Sequence, residues 1–507
     1  MKITFLAIGA ENLGIEALSA ALKGAKHEVT LAYDPSLFDD LVYYKIPFLA
    51  RLFNVKSKII KKVVASKPDL IGINVFVDNF KWACYMAREI KKIIDVPVIF
   101  GGVFPTACPE RVLKEDCVDM ICLGEGEEPL LELISSMEKG EMDYNIKNLW
   151  FKKDGKIIKN EARNLQDLDK LPLYDKALFE GEIPAKNYYL TVTQKGCPFN
   201  CTYCEHNFLR KFDQGKGKHL RRRSIDNILE ELKIMKERYK FKEIDFKDNV
   251  FTVDKQWTLD FLKRYQKEIN LPFRILSHPL CIDEDIAKAL KEAGVHRIQL
   301  GIQSLNQKTR NEVLKRFETD EQIMKCFRAL DKYKVDYSVD HIFGLPGETE
   351  EDLITAAKIY AKLKSCSRVT VFWLTYFPKT DMVEIARKAG LIGEKDMESI
   401  ENGQEPAYQS EEGSLRDKKL KDTFKNYQLL FRIIPTLPEF VVNFILDHKL
   451  QRYFKYLPRK FMILLADHYV SFARHDYAAI HYLRYYLFQM KKVMKLKILN
   501  QKYGVYR

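Results

Sequence analysis

The chain has 507 residues, of which 46% are hydrophobic and 30% are charged. The chain is longer than one hydrophobic core ordinarily accommodates, so we expect about three domains. Its composition excludes a disordered protein. Lys and Arg outnumber Asp and Glu by 83 to 70, a net charge of +13. The opening "MKITFLAIGA" lacks the features of a signal peptide, and no apolar run reaches the roughly 20 residues of a membrane span. We therefore predict a cytoplasmic protein, in which the ten cysteines indicate metal binding or catalysis rather than disulfides.

Short β-branched segments alternate with amphipathic helical segments over residues 1–140. The strand segments are "ITFLAIG", "HEVTLAY", "DLIGINVF", "VPVIFGG" and "DMICLGEG". This alternation predicts an α/β domain with a parallel, flavodoxin-like (Rossmann-like) sheet, whose ligands bind at the carboxyl ends of the strands. Glycines in those loops would let the backbone approach a large ligand, although any such fold needs glycines there.

A hairpin and linker are predicted over residues 141–185. "NLWFKKDGKIIKN" has the turn chemistry of a hairpin, and "LQDLDKLPLYD" is a polar linker. Residues 186–395 then give a second alternating series with the strand segments "YYLTVTQKG", "EIDFKDN", "PFRILSH", "RIQLGIQS", "DYSVDHIFGLPGE" and "RVTVFWLTYFP". Six alternations predict a partial (β/α)6 barrel, with its chemistry on the loops after the strands.

Three cysteines follow the first of these barrel strands in "GCPFNCTYCEH". Cys197, Cys201 and Cys204 have the spacing C-x3-C-x2-C. A zinc site would need His206 as a fourth ligand, which is cramped for tetrahedral geometry within so few residues. A [4Fe–4S] cluster held by three cysteines instead leaves one iron open to a substrate or cofactor. The sequence therefore favours an iron–sulfur cluster over zinc.

The cysteine spacing after the first barrel strand resembles that of the radical S-adenosylmethionine (SAM) superfamily. The resemblance implies that the three cysteines hold the cluster and that its open iron binds SAM. Reduction of SAM then gives a 5'-deoxyadenosyl radical, which abstracts hydrogen from an unactivated position. The matching segments are "FKDNVFT", "LGIQSLN" and "HIFGLPGETEED". By position, the SAM-contacting residues implied are Tyr203, Asp248, Gln303, Ser304, Gly344 and Pro346.

The first domain, with "VIFGGVFPTACPERVL" and "LGEGEEPLLEL", followed by "DLDKLPLYD", resembles the cobalamin-binding (B12-binding) radical SAM enzymes. This resemblance covers residues 1–390 and so includes the barrel. Two departures are His278 with Pro279, in place of an arginine segment, and Gln303, in place of a glutamate. The domain lacks D-x-H-x-x-G, and its one histidine, His27, precedes a strand. The resemblance therefore implies cobalamin without a protein histidine ligand. The residues implied at its site are Asn12, Asn74, Gly101, Gly102, Gly124, Glu125 and Gly126.

This resemblance implies a methyltransferase that acts on an unactivated carbon, with a flavodoxin or ferredoxin as electron donor. The alternatives are a cyclase or oxidoreductase of the same architecture without methyl transfer, and a non-catalytic corrinoid or SAM sensor. The intact cysteine loop disfavours the sensor. Cys84, Cys108, Cys117 and Cys122 lack the spacing of a second cluster, which disfavours a tRNA methylthiotransferase. No residue pattern identifies the substrate, which is expected to be a small molecule or a lipid. Beyond the cluster cysteines, no residue pattern indicates a residue for proton transfer either.

The predicted helical C-terminal domain, residues 396–507, carries the excess charge. From Arg416 to Arg507 there are 19 Lys and Arg against 6 Asp and Glu, while the rest of the chain is neutral. One interpretation is helices packed on the barrel with solvated charges. The other is a basic, aromatic-rich surface that brings the enzyme to anionic membranes. Nucleic acid is not expected, because the apolar content exceeds what phosphate contacts need.

Overall fold

A computed structural model describes residues 1–39, 45–184, 188–406, 413–475 and 478–498. The strands are β1 (Lys2–Ile8), β2 (Glu28–Asp34), β3 (Leu70–Asn74), β4 (Val98–Gly101), β5 (Met120–Cys122), β6 (Leu149–Lys153), β7 (Lys156–Ile158), β8 (Tyr189–Thr191), β9 (Gln194–Lys195), β10 (Arg221–Arg222), β11 (Ile244–Phe246), β12 (Phe273–Ser277), β13 (Val295–Gln303), β14 (Tyr337–Phe343) and β15 (Cys366–Trp373).

The α-helices of the first domain are α1 (Leu13–Gly24), α2 (Pro47–Leu52), α3 (Lys56–Ser66), α4 (Phe80–Lys91), α5 (Val103–Ala107), α6 (Pro109–Leu113) and α7 (Glu127–Glu138). Those that follow are α8 (Glu205–Phe212), α9 (Ile225–Tyr239), α10 (Lys255–Glu268), α11 (Glu284–Glu292), α12 (Asp320–Lys332), α13 (Glu350–Tyr360), α14 (Asp381–Lys388), α15 (Glu394–Glu401), α16 (Lys418–Ile433), α17 (Glu439–Asp447), α18 (Arg459–Ala473) and α19 (Ala478–Ile498).

The first sheet has the strand order β2-β1-β3-β4-β5-β6-β7. Strands β1 to β5 are parallel, as predicted for a flavodoxin-like domain, while β6 and β7 are antiparallel. The predicted hairpin turns at Asp154 and Gly155, whose φ angles of 50° and 72° suit a two-residue hairpin. The hairpin extends the first sheet, because β6 pairs with β5.

The second sheet has six parallel strands in the order β15-β14-β13-β12-β11-β8. Apolar side chains from alternate positions, such as Ile244 and Phe246, pack into one core with the surrounding helices. Asp245 and Lys247 alternate with these residues along the chain and therefore face the opposite side of the sheet, which is the barrel interior. Strands β8 and β15 are the two edges, so the predicted partial (β/α)6 barrel is confirmed.

The C-terminal helices join both domains. Phe424, Leu430 and Phe431 of α16 belong to the hydrophobic core of the barrel. Helix α19 packs on the first domain, where the hydroxyls of Tyr485 and Tyr33 lie 2.5 Å apart. In the described part of the chain, no helix combines the length and apolar character needed to span a membrane.

Candidate functional site

The loop with the three cysteines connects β9 to α8 and begins at a position that only glycine suits. Gly196 has a φ of +90°, and a side chain there would collide with the carbonyl oxygen of His219. Cys201 is buried, while Cys197 and Cys204 are half-buried. The backbone N–H of Cys204 donates to the Cys201 carbonyl at 3.2 Å, which curls the loop.

Two segments distant in sequence fix the middle of this loop. The N–H and hydroxyl of Thr202 donate to the carbonyls of Leu314 and Val313 at 3.1 and 2.7 Å. The N–H of Met382 donates to the Thr202 carbonyl at 2.9 Å. These bonds hold the loop against the segments that follow β13 and β15, so its conformation depends on the assembled barrel.

Burial controls the protonation of the metal-free thiols. It raises the pKa of Cys197 to about 11 and that of Cys204 to about 12. Both thiols are therefore protonated at neutral pH, and binding iron must release these protons. Within the described ranges, no group of three or more His, Cys, Asp or Glu side chains is arranged to hold a single metal ion.

A buried arginine that the sequence did not reveal lies beside the cysteine loop. Arg316 Nη1 is 3.9 Å from Sγ of Cys201 and 3.5 Å from the Tyr203 hydroxyl. Its guanidinium also donates to the Gly301 carbonyl at 2.6 Å and to Glu318 at 2.7 Å. It therefore places a positive charge next to the position where a thiolate ligand would lie. More than 100 residues separate it from the cysteines, so no local pattern could have indicated it.

The structure brings Tyr203 to this arginine and Gln303 to the adjacent Gly301, and both residues are predicted SAM contacts. Tyr203 packs against an apolar cluster that includes Ile342 of β14. Gln303 has a φ of 68° at a register shift between β13 and β14, next to Gly301. Ser304 is buried, and its carbonyl accepts from Arg310 at 3.1 Å. Tyr203, Gly301, Gln303 and Arg316 thus form one wall beside the cysteines.

The other predicted SAM residues mainly organise loops. Asp248 Oδ1 accepts from the N–H groups of Thr193 and Gln194 at 2.8 and 2.7 Å, just before the cysteine loop. Its Oδ2 is buried without a hydrogen-bond partner. Gly344 begins a turn in which its N–H donates to Glu348 at 2.7 Å, and Pro346 is buried in that turn.

Histidines line the loop on two sides. The ring of His278, one of the departures noted above, stacks on Phe199 of the cysteine loop with centroids 3.9 Å apart. His206, the candidate fourth zinc ligand, has its Nδ1 3.4 Å from Nε2 of His219. His219 Nδ1 lies 2.6 Å from the carboxylate of Asp213. Burial lowers the pKa of His206 to about 4, so this ring is neutral at physiological pH.

In the first domain, the predicted cobalamin residues meet at the carboxyl ends of the strands. Asn74 Nδ2 donates to Asn12 Oδ1 at 2.9 Å, while its Oδ1 is buried without a partner. Gly102 has a φ of +103°, and a side chain there would collide with Asn74 Oδ1 and lie 2.9 Å from the Val75 carbonyl. Gly101 ends β4, and Gly126 immediately precedes α7.

The neighbouring loop joins the two domains. Glu125 binds Arg221 at 2.7 Å and Lys195, which precedes the cysteine loop, at 3.3 Å. Burial alone would raise the pKa of Glu125, but these two cations hold it at about 2. A side chain at Gly124 would contact Phe212 of α8 at 3.0 Å. The cysteine loop and the first domain are therefore in direct contact.

A cavity of about 370 Å³ lies between the two domains. Its first-domain wall includes Gly102, Gly124 and Glu125, and its barrel wall includes Gly196, His206 and Lys247. The predicted cobalamin loops and the cysteine loop thus open into one common space.

Family models match both domains. The model described as "Radical SAM superfamily" matches residues 191–359, and the one described as "B12 binding domain" matches residues 9–134. The uncharacterized methyltransferase PH0819 of Pyrococcus horikoshii is 30% identical over 392 residues, which cover 75% of this chain and 79% of that protein. The chain belongs to the radical SAM superfamily. It is a radical SAM enzyme whose first domain is a B12-binding domain.

Two further proteins are similar to this chain, one in sequence and one in fold. The anaerobic magnesium-protoporphyrin IX monomethyl ester cyclase of Rubrivivax gelatinosus is 23% identical over 341 residues, 64% of this chain and 59% of that protein. The cobalamin-dependent SAM radical enzyme OxsB, solved with aqua-cobalamin and SAM bound, superimposes with a TM-score of 0.65 at 15% identity and covers 100% of this chain and 81% of its own. The cofactors expected for these domains, a [4Fe–4S] cluster, SAM and cobalamin, are confirmed at the level of the family.

Proposed function

We propose that the chain is a cobalamin-dependent radical SAM methyltransferase that adds a methyl group to an unactivated carbon. The observation that carries the proposal is the shared cavity, because it places the glycine-rich loops of the B12-binding domain opposite the cysteine loop. A methyl donor and a radical generator must reach the same substrate carbon, and this space opens to both. The methyltransferase name of the Pyrococcus relative supports the same reaction class.

The residues around the cysteine loop fit a cluster with SAM. Cys197, Cys201 and Cys204 would hold the cluster on a loop fixed by backbone hydrogen bonds. Tyr203 and Gln303 would contact SAM, with Ser304, Asp248, Gly344 and Pro346 as the further predicted positions. The donor set fits because the three thiols lie on one short loop, and Cys201 contributes to the raised pKa of both Cys197 and Cys204.

The first domain fits cobalamin. Gly102 lets the loop pack closely against Asn74 and Val75, where a Cβ would collide, and the buried Asn74 Oδ1 lacks a donor, so it can accept a hydrogen bond from a ligand. We propose Asn12, Asn74, Gly101, Gly102, Gly124, Glu125 and Gly126 as the binding loops. The Glu125 carboxylate is engaged in ion pairs with Lys195 and Arg221, so Glu125 would contact cobalamin through its backbone.

When bound, the cofactors supply reductive cleavage of SAM and a cobalt carrier for the methyl group. The chain itself positions the reactants: Arg316 holds Tyr203 beside Cys201, and the Glu125 ion pairs hold the two domains together. The partly buried cysteine loop would limit access of water to the site where SAM is cleaved. Electrons would come from a flavodoxin or ferredoxin.

The test is the product balance of anaerobically reconstituted, cobalamin-loaded protein with SAM, dithionite and candidate substrates. Methyl transfer through cobalamin consumes two SAM molecules, so S-adenosylhomocysteine and 5'-deoxyadenosine should form in about equal amounts with one methylated product. 5'-Deoxyadenosine without S-adenosylhomocysteine would contradict methyl transfer and favour the cyclase or oxidoreductase alternative.

A second candidate function concerns the C-terminal helices. Aromatic side chains are exposed on α17, the turn 450–456 and α18, including Phe440 at 73%, Tyr456 at 74% and Phe472 at 78%. Phe461, Leu465, Tyr469 and Phe472 follow the spacing of one helix face, and Lys455 and Lys460 are exposed beside them. We propose that this aromatic face binds anionic membrane lipids, because basic helices with exposed aromatics suit that interface.

Sedimentation with vesicles containing phosphatidylserine tests the membrane proposal. Removal of the chain after Glu412, which lies outside the described residues, would uncover the barrel core, so point substitutions are preferable. The full-length protein should pellet with the vesicles and be partly released by salt, whereas the combined variant Phe440→Ser, Phe461→Ser and Phe472→Ser should stay in solution. Phe48→Ser is the matched control, because Phe48 is 75% exposed on the first domain. Equal pelleting of the triple variant and the control would refute the proposal.

A further inference from the structure

A segment between the two domains lines the cavity, and neither the sequence nor the proposed function assigns it a role. This linker segment, residues 162–174, contributes residues 162–166 and Tyr174 to the cavity wall. It lies outside both family matches, which cover residues 9–134 and 191–359. The cavity therefore has a third wall in addition to the B12-binding domain and the barrel.

The linker segment is attached to the B12-binding domain at two points. The N–H of Gln166 donates to Glu125 Oε2 at 3.2 Å, in the loop after β5. The N–H of Asp175, next to Tyr174, donates to the Glu16 carbonyl at 3.3 Å, in the first turn of α1. Helix α1 follows β1, and β3 and β4 lie between β1 and β5 in the sheet. The segment thus crosses the edge of the sheet at which the predicted cobalamin loops lie.

The barrel side holds the same segment. The N–H of Leu165 donates to the Lys216 carbonyl at 2.8 Å, and Arg221 Nη1 donates to the Gln166 carbonyl at 2.6 Å. Lys216 follows α8, and Arg221 lies in β10. Because its backbone is bound on both sides, the linker segment presents its side chains to the cavity at fixed positions.

Two polar side chains of the linker segment lack partners. Gln166 Nε2 is buried and has no hydrogen-bond partner among the described residues. Tyr174 is half-buried, and burial raises the pKa of its hydroxyl to about 12, so this group keeps its proton at physiological pH. Within the described ranges the Tyr174 hydroxyl makes no hydrogen bond. A donor withdrawn from water costs free energy until it meets an acceptor, so both groups suit a ligand that carries acceptors.

The positions of the two donors indicate the size of that ligand. Gln166 lies at the loop after β5, and Tyr174 lies beside the first turn of α1, which follows β1. Strands β5 and β1 are three strand spacings apart, about 14 Å. A ligand that contacts both donors must be wide and must carry acceptors around its edge. A corrin ring, with amide side chains on its whole periphery, meets both requirements.

We propose that Gln166 and Tyr174 bind the corrinoid by donating hydrogen bonds to amide carbonyls at the edge of its ring. This inference rests on the proposed function, since it concerns the cobalamin of the same site. The linker segment then covers the corrinoid between the B12-binding loops and the barrel. Cofactor binding depends on residues outside the B12-binding domain itself.

Corrinoid binding can be measured without the reaction. Full-length protein is titrated anaerobically with hydroxocobalamin and, separately, with diaquocobinamide, which keeps the ring amides but lacks the dimethylbenzimidazole nucleotide. Gln166→Met and Tyr174→Phe each remove one donor and nearly keep the size of the side chain. We expect each variant to lower the affinity for both corrinoids about 2- to 12-fold, the range for one neutral hydrogen bond. The double variant should lose about the product of the two effects.

The matched controls are Gln214→Met and Tyr85→Phe, because both residues are exposed and lie outside the cavity wall. They should bind both corrinoids as wild type does. The melting temperatures of the corrinoid-free variants should equal that of wild type, since neither donor has a protein partner to lose. A fall in melting temperature that parallels the loss of affinity would assign the two side chains to the fold and overturn the inference.

The inference is also overturned if wild-type protein binds no corrinoid or if Gln166→Met and Tyr174→Phe bind it as well as the controls. Weaker binding of SAM alone would assign the two donors to SAM, and weaker binding of hydroxocobalamin alone would assign them to the nucleotide; either result contradicts contact with the ring. Release of 5'-deoxyadenosine by wild-type protein with SAM and dithionite tests the proposed radical chemistry separately, so either claim can fail alone.

Discussion

Two adjacent glycines in the B12-binding domain should respond differently to the same small substitution. At Gly102 the φ angle is +103°, and an added Cβ would collide with Asn74 Oδ1 and lie 2.9 Å from the Val75 carbonyl. At Gly101 the nearest atom to an added Cβ is 3.8 Å away, at Cys122, which is an ordinary contact. Gly102→Ala and Gly101→Ala therefore form a matched pair.

The backbone conformation sets the expected magnitude. Holding a non-glycine residue in this region costs about 1–3 kcal/mol. In the Gly102→Ala variant the loop avoids this cost by shifting to another conformation. The loop must then return to its native conformation to bind corrinoid. At 1.4 kcal/mol per factor of ten, the apparent affinity should fall about 5- to 150-fold. Gly101→Ala should stay within about twofold of wild type.

The assay is an anaerobic titration of the full-length protein with hydroxocobalamin, followed by its visible spectrum. Wild type and Gly101→Ala should show a base-off spectrum, because we expect the bound corrinoid to have its dimethylbenzimidazole detached from cobalt and no histidine in its place. Gly102→Ala should require more corrinoid to reach this spectrum. Circular dichroism of the variants checks that the fold is retained. Equal affinities of the two variants would show that the Gly102 loop does not contact the corrinoid and would refute the reasoning.

The remaining predictions concern the barrel. Cys201→Ala should abolish reductive SAM cleavage and lower bound iron, measured by chromatography and iron assay, whereas Cys84→Ala in the first domain should leave both near wild type. Arg316→Met leaves the buried Glu318 without its cation. We therefore expect the free energy of unfolding to fall by about 3–5 kcal/mol, measured as a lower melting temperature. An unchanged melting temperature would contradict the ion pair. Burial raises the pKa of Asp248 to about 6. Because the folded protein then holds this proton more tightly than the unfolded chain, ionisation of Asp248 should reduce the free energy of unfolding by about 3 kcal/mol as the pH rises from about 4 to 6. Melting temperatures measured across this pH range should show the decrease in the wild type, and Asp248→Asn should remove it.

Much of the fold follows from periodicity. The predicted strand segments of both sheets coincide with β1 to β5 and with the six barrel strands, because parallel strands buried on both faces have short, strongly apolar sequences. The position of the cysteines after the first barrel strand was also predictable from local sequence. The pairing of β6 with β5 was not, since a hairpin pattern carries no information about the sheet that it joins.

The surroundings of the site depend on contacts between distant segments. Arg316 reaches Cys201 only through the turn after β13, and Lys247 shares Asp245 with an arginine of the next strand. Neither contact leaves a local signature. The C-terminal helices show the same limit. Their composition is compatible with packing on the barrel and with membrane binding, and only the structure distinguishes the buried Phe424 of α16 from the exposed Phe472 of α18.

The contact between α19 and the first domain has a consequence for synthesis. Tyr486 and Val493 belong to the same hydrophobic core as Phe38 and Ile59, near the beginning of the chain. At translation rates of about 5–20 residues per second, roughly 20–70 s separate synthesis of the first domain from synthesis of this helix. The nascent chain therefore carries an uncovered apolar surface while the whole barrel is made. We expect the B12-binding domain to recruit chaperones on the ribosome and to reach its full stability only after the last helix has emerged.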